Sequence, residues 1–233
     1  MKAIVLTAVL YNDNSYMLNL FTDELGYVTT SVKIGKRSKV RQSHIQPLTS
    51  LDVELTGKPS QKIMHITECI TSKGCENIIY EPEKIITAQF LSDFLQQTLK
   101  QSQKETRLFD FISKSIIYFN NIKRGQSNFH LVFLIKLTHY LGFFPNLEGF
   151  KYGVYFDLEA GCFVHTPPIH NNYLSPNDTF NFVQFLRLDY NTMYIYTLTR
   201  EQRNIFLDFI IKYYKLHISD FDNLKSLNIL RQL

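Results

Sequence analysis

The spacing of apolar residues changes at Pro82, and that change is the strongest constraint on what this chain can fold into. Before it, apolar residues come in short runs or alternate with polar ones; after it, they recur every three or four positions. Ala3-Ile4-Val5-Leu6 is apolar and rich in β-branched side chains. Tyr16-Met17-Leu18-Asn19-Leu20-Phe21 follows a polar turn at Asn12-Asp13-Asn14, and Leu25-Gly26-Tyr27 turns into Tyr27-Val28-Thr29-Thr30-Ser31-Val32. Leu51-Asp52-Val53-Glu54-Leu55 alternates strictly, and Lys62-Ile63-Met64-His65-Ile66-Thr67-Glu68 nearly so. A period of two puts apolar residues on one face of a strand and polar residues on the other. Several short strands joined by turns predict a small closed or partly open barrel over residues 1–80.

Glu81-Pro82-Glu83 reads as a helix start, with proline near the first turn and carboxylates favourable to the dipole. Ile86, Phe90, Phe94 and Leu95 then keep helical spacing. A second helix is expected from Glu105 to Asn121, with Leu108, Phe111, Ile112, Ile116 and Phe119 inward. A third is expected from Asn128 to Leu141, stopped by Gly142. Short connections suit an all-α bundle. From residue 143 to 174 the pattern lapses, and Val154–Leu158 and Cys162–Val164 flank Glu159-Ala160-Gly161 as a small hairpin insert. Ser175-Pro176 forms an N-cap with proline at the first helical position, and Thr199 with Gln202 forms a capping box. Its helix carries Ile205, Phe206, Phe209, Ile210 and Tyr213. The expected class is α+β: a barrel over 1–80, then an all-α domain over 81–233 with an insert at about 143–174.

Charge points to function. The net charge of the 233 residues is only +4, so no global bias toward a polyanion exists. Between Glu24 and Asp52, however, there is no acidic residue, while Lys33, Lys36, Arg37, Lys39 and Arg41 follow a strand, with His44 close behind. Each such cation that meets a phosphate releases condensed counterions. A basic barrel edge with aromatic residues suits single-stranded nucleic acid. Tyr11 and Tyr27 lie beside turns and are expected to be exposed for base stacking, whereas Phe21 and Tyr16 are expected to alternate inward. Charge runs are more often merely solvated, and aromatics more often core.

Other chemistry is sparse. There is no Walker loop, no G-x-S-x-G and no H-E-x-x-H. Asp52 and Glu54 are the pair a metal-dependent nucleic-acid hydrolase would use, though they read more simply as the wet face of a strand. Arg200, Arg203, Lys212 and Lys215 are expected to give the Thr199 helix a basic face, suited to an acidic peptide terminus. The three cysteines, Cys69, Cys75 and Cys162, do not form a disulfide framework. No signal peptide is read at the N-terminus. Phe129 to Phe144 is too short and too polar to span a bilayer. A cytoplasmic, reduced protein is expected.

The order of these parts resembles the bacterial RecO family. Lys33-Ile34-Gly35-Lys36-Arg37 resembles its Lys-Gly-x-Arg-basic segment, and Gln46-Pro47-Leu48 before Leu51-Asp52-Val53-Glu54 looks like its next strand entry. Leu141-Gly142-Phe143-Phe144-Pro145-Asn146-Leu147 is similar to its Leu-Gly-x-x-Pro-x-Leu signature, and Leu224-Lys225-Ser226 to its last helix. The resemblance covers the whole chain. It implies an OB-fold followed by a helical domain, and no enzymatic activity. It also implies binding of single- and double-stranded DNA, strand annealing, contacts with the C-terminal tail of SSB and with RecR, and help in loading RecA, at the bacterial nucleoid. Many relatives hold zinc through four cysteines in the insert. Here only Cys162 stands there, with His165 and His170, and the fourth ligand of a structural zinc is missing. No cofactor is therefore expected; Tyr155, Phe156, Phe163 and Val164 are expected to pack the insert instead. A protein-binding adaptor is the remaining alternative.

Overall fold

A computed structural model describes residues 1–35, 38–57, 63–72, 74 and 78–233. Lys36, Arg37, Lys62 and Cys75 lie outside the described residues. The chain divides into two compact units: residues 1–121 with 223–232, and residues 122–222 with Leu233.

The first unit is built on five strands, β1 (Lys2–Asn12), β2 (Ser15–Thr22), β3 (Gly26–Lys33), β4 (Ser50–Thr56) and β5 (Met64–Thr71). They close into a barrel in the order β1-β2-β3-β5-β4. All pairs are antiparallel except β3 with β5, which is parallel. Alternation places Ala3, Val5, Leu18, Leu20, Val32, Leu51, Val53, Ile66 and Cys69 inside, with Val40 and Ile45 closing the core. Tyr16 packs against that core, as expected.

The outer face of β1 and β2 is apolar as well: Ile4, Leu6 and Phe21 are at most 1% exposed. They do not belong to the barrel core cluster. Burying each is worth about 1.5–3 kcal/mol, so this face needs a cover. Helices α1 (Pro82–Leu99) and α2 (Thr106–Asn121) supply it. The Ser92 hydroxyl donates to the Leu6 carbonyl, and the Phe109 ring meets Phe21 at 5.9 Å. Within α1, the buried Lys84 ammonium donates to Glu81 Oε1 at 2.8 Å and to the Asn120 carbonyl at 3.0 Å, fastening α1 to α2. The connection between these helices presses on the β2–β3 turn. A Cβ at Gly26 (φ +72°) would lie 2.5 Å from the Gln103 carbonyl carbon, so only glycine fits. The last element of this unit is the short helix α6 (Leu227–Leu230).

The second unit contains α3 (Phe129–Leu141), α4 (Pro176–Leu186) and α5 (Arg200–His217) around a small sheet. Gly142 ends α3 in the left-handed conformation (φ +85°), its N–H donating to the Thr138 carbonyl. Ser175 caps α4 and the Thr199–Gln202 capping box opens α5, as the sequence predicts. The insert is a hairpin of β6 (Tyr155–Asp157) and β7 (Cys162–Val164), to which β8 (Tyr173–Leu174) adds a third strand that the sequence pattern does not announce. Phe156 is fully buried among the rings of Phe163, Phe182 and Tyr213.

Candidate nucleic-acid interface

Two connections leave the barrel at one end. Ser15 at the start of β2 pairs with Lys33 at the end of β3, and the Ile34 N–H donates to the Asn14 carbonyl at 2.7 Å. The basic segment is thus fastened at its root to the β1–β2 turn. β5 runs parallel to β3, with Met64 and His65 beside Thr30 and Ser31, so it is entered from the opposite direction, the side of the β2–β3 turn. In five-stranded barrels of this order, oligonucleotides bind across the β2–β3 face, which the β1–β2 and β4–β5 connections border.

The outward residues of that face are mostly polar and half-buried. Asn19 bridges two strands, donating through Nδ2 to Thr7 Oγ1 (2.8 Å) and accepting at Oδ1 from Thr29 Oγ1 (2.9 Å). Beside this row, Val9, Met17, Ser31 and His65 stand in register, and Ser31 Oγ lies 2.5 Å from His65 Nδ1. The sequence carried a signal for these rows, namely the positions alternating with the core residues of β2 and β3, but attention to charge alone passes over them.

Tyr11 stands where expected. The β1–β2 register shifts between Leu10 and Asn12, and such a bulge re-aims a side chain. Tyr11 is 71% exposed, beside the exposed Val9 and Leu10. Tyr27 does not stand as expected: it is half-buried at the opposite end of β3. Its hydroxyl accepts from Gln96 Nε2 of α1, its N–H donates to the Ser102 carbonyl, and burial raises its pKa. The turn that suggested exposure is covered by the α1–α2 connection.

The cations are not equivalent. Lys33 and Arg41 are exposed, and neither makes an ion pair among the described residues. Lys39 is exposed but paired: its Nζ lies 2.8 Å from Glu68 Oε2 on β5. The span between Glu24 and Asp52 is free of acids along the chain but not in space. His44 adds no cation, because burial, and then the nearby Arg41 charge, lower its pKa; its Nδ1 accepts the Arg41 N–H at 3.2 Å. Cys69, 3.2 Å from the same nitrogen, is held as a thiol by burial, which pushes its pKa to about 11.

In the second unit, the expected basic face of α5 is split. Arg203 and Lys212 are nine residues apart, two and a half helical turns, and so point to opposite sides. Arg203 donates to the carbonyls of Leu198 (2.8 Å) and Leu233 (3.0 Å), while Lys212 donates to that of Asn171 (3.0 Å). Lys215 is exposed.

Asp52 and Glu54 both stand exposed on the outer face of β4. Asp52 accepts from the Ser72 hydroxyl at 3.3 Å, and Glu54 faces Glu68 across the β4–β5 ladder. In the insert, His170 Nε2 lies 3.4 Å from Asp157 Oδ2 and 3.7 Å from Glu159 Oε2, and Cys162 is a free cysteine. Among the described residues, no three His, Cys, Asp or Glu side chains are grouped so as to hold a metal ion, and no helix is long and apolar enough to cross a membrane.

Comparison with known proteins agrees with this architecture. The family model described as Recombination protein O N terminal matches residues 1–74, and the one described as Recombination protein O C terminal matches residues 80–228. The DNA repair protein RecO of Phocaeicola vulgatus is 34% identical over 99% of this chain and 96% of its own length. That of Bacteroides fragilis is 33% identical with the same coverage, and that of Porphyromonas gingivalis is 31% identical over 100% of this chain and 97% of its own length. An OB-type closed barrel and a helical region, matched in order by both family models and by full-length relatives, place this chain in the RecO family.

Proposed function

We propose that this protein is a non-enzymatic mediator of DNA repair and recombination that binds single- and double-stranded DNA and anneals complementary strands. The observation that carries the reading is that the exposed Tyr11 and Lys33, which makes no ion pair among the described residues, stand at one barrel end beside the polar outer row of β2 and β3. Stacking on Tyr11 and phosphate contacts from Lys33, Arg41 and the remainder of the basic segment (Lys36, Arg37, Lys39) bind a backbone without reading its bases. Two backbones neutralised together repel each other less, and that is what annealing requires. Through partners, the protein would take the acidic tail of SSB on its helical unit, where Lys215 is exposed, join RecR, and help RecA onto SSB-coated DNA, at the nucleoid in the cytoplasm. Lys212 and Arg203, on opposite sides of α5, would join that contact by giving up the carbonyls they hold.

A fluorescence annealing assay with and without SSB tests the reading. Salt-sensitive annealing that survives on SSB-coated strands is expected. Cutting of labelled DNA in Mg²⁺ or Mn²⁺, abolished by changing Asp52 and Glu54, would overturn it in favour of a hydrolase. Absence of DNA binding at every salt concentration would leave a protein-binding adaptor.

A further inference from the structure

We infer that Glu68 is an internal competitor for the phosphate that Lys39 meets, and so sets the affinity and salt dependence of the interface; this rests on the DNA-binding reading above. Lys39 Nζ is held 2.8 Å from Glu68 Oε2, with both side chains substantially exposed, 65% and 42%. An exposed pair of this kind adds little to stability, so it opens at small cost. Glu68 cannot drift away from the site, because it lies on β5 beside the core residue Cys69.

A second observation points the same way. Glu68 sits directly opposite Glu54 on β4, and like charges so placed repel. The Lys39 ammonium lies in the field of both carboxylates, which with the Glu68 hydrogen bond raise its pKa. Removing Lys39 to a phosphate leaves the two carboxylates facing each other and facing the incoming polyanion. The expelled Glu68 must then gather counterions of its own, so the net release on binding is smaller than for a free lysine. Lys33 and Arg41, which have no such partner among the described residues, contribute in full.

The test is binding of single-stranded DNA over a salt series by the full chain and by Glu68→Gln, Glu54→Gln, Lys39→Gln and the double variant Lys39→Gln/Glu68→Gln. Glu68→Gln should steepen the salt slope by about 0.7 and tighten binding about three- to ten-fold at 50 mM salt. Glu54→Gln removes an equal charge without the contact and should gain less. In the Lys39→Gln background the Glu68→Gln gain should vanish. Unchanged binding by Glu68→Gln, or a gain that persists without Lys39, would overturn the competitor while leaving the DNA interface in place. An unmodified chain that binds no DNA at any salt would overturn the interface itself. A thermal scan showing Glu68→Gln unchanged in Tm excludes a folding origin for either result.

Discussion

Ser226 donates both its backbone N–H and its hydroxyl to one carboxylate oxygen, Asp93 Oδ2, at 3.1 and 2.9 Å. The pair fastens the segment that carries α6 onto α1, inside the first unit. Leu224-Lys225-Ser226, one of the stretches by which the chain resembles its family, therefore has a structural use here. Hydrogen bonds to a charged group are worth about 1.5–3 kcal/mol, and Ser226 is buried. Asp93→Ala should lower unfolding stability by about that amount, and Asp93→Asn, which keeps an acceptor, by less. Denaturant unfolding checks this; a loss below about 0.5 kcal/mol, under the usual net value of even a neutral bond, would mean the segment is held by packing alone.

His130 gives the second unit an acid-sensitive element. Burial, and then the Arg203 charge, lower its pKa to about 3, whereas an unfolded histidine titrates near 6.5. Below pH 6.5 the unfolded chain takes up a proton that the folded chain refuses. Stability from this residue is therefore intact above pH 6.5 and falls as pH drops toward 3. Between pH 7 and 5 the loss is about 2 kcal/mol at most. His130→Gln should flatten the pH dependence of unfolding in that window, whatever its effect at pH 7.

The two tyrosines should separate cleanly. Tyr11→Ala should weaken single-strand binding about 5- to 160-fold, the worth of one stacked base, with no change in Tm. Tyr27→Phe removes the hydroxyl that accepts from Gln96 and should cost about 0.5–1.5 kcal/mol of stability while leaving affinity unchanged. Paired thermal scans and DNA titrations decide; the reverse pattern would move the stacking site to the opposite end of β3.

Lys33→Gln and Arg41→Gln should each lower the salt slope for single strands by about 0.7, the share of one phosphate contact. Joint removal of Lys36, Arg37 and Lys39 should abolish binding at physiological salt. Slopes from titrations at four or five salt concentrations check both statements, and a slope unchanged by Lys33→Gln would exclude that residue from the interface.

Much of this was legible in the sequence because it is local. Period-two alternation gave β4 and β5, the Ser175 and Thr199 caps gave α4 and α5, and Gly142 gave the end of α3. What was not legible depends on distant pairing. The parallel β3–β5 ladder that closes the barrel joins residues 34 apart, and no local pattern specifies it. The same closure brings Glu68 to Lys39, so an acid-free stretch of sequence became a partly neutralised surface. The α1–α2 connection buries Tyr27, although its neighbouring turn suggested exposure. On α5 a list of cations suggested one face, whereas helical geometry gives Arg203 and Lys212 two.

The two-part make-up of the first unit has a consequence for synthesis. Residues 223–232 belong with the barrel, yet they leave the ribosome only after all of residues 122–222. Domains usually fold as they emerge, N-terminal first. Here the barrel can close early, but the Asp93 carboxylate stays without Ser226 until translation has passed through the other unit. The first unit of the nascent protein therefore stays unfinished while residues 122–222 are being made.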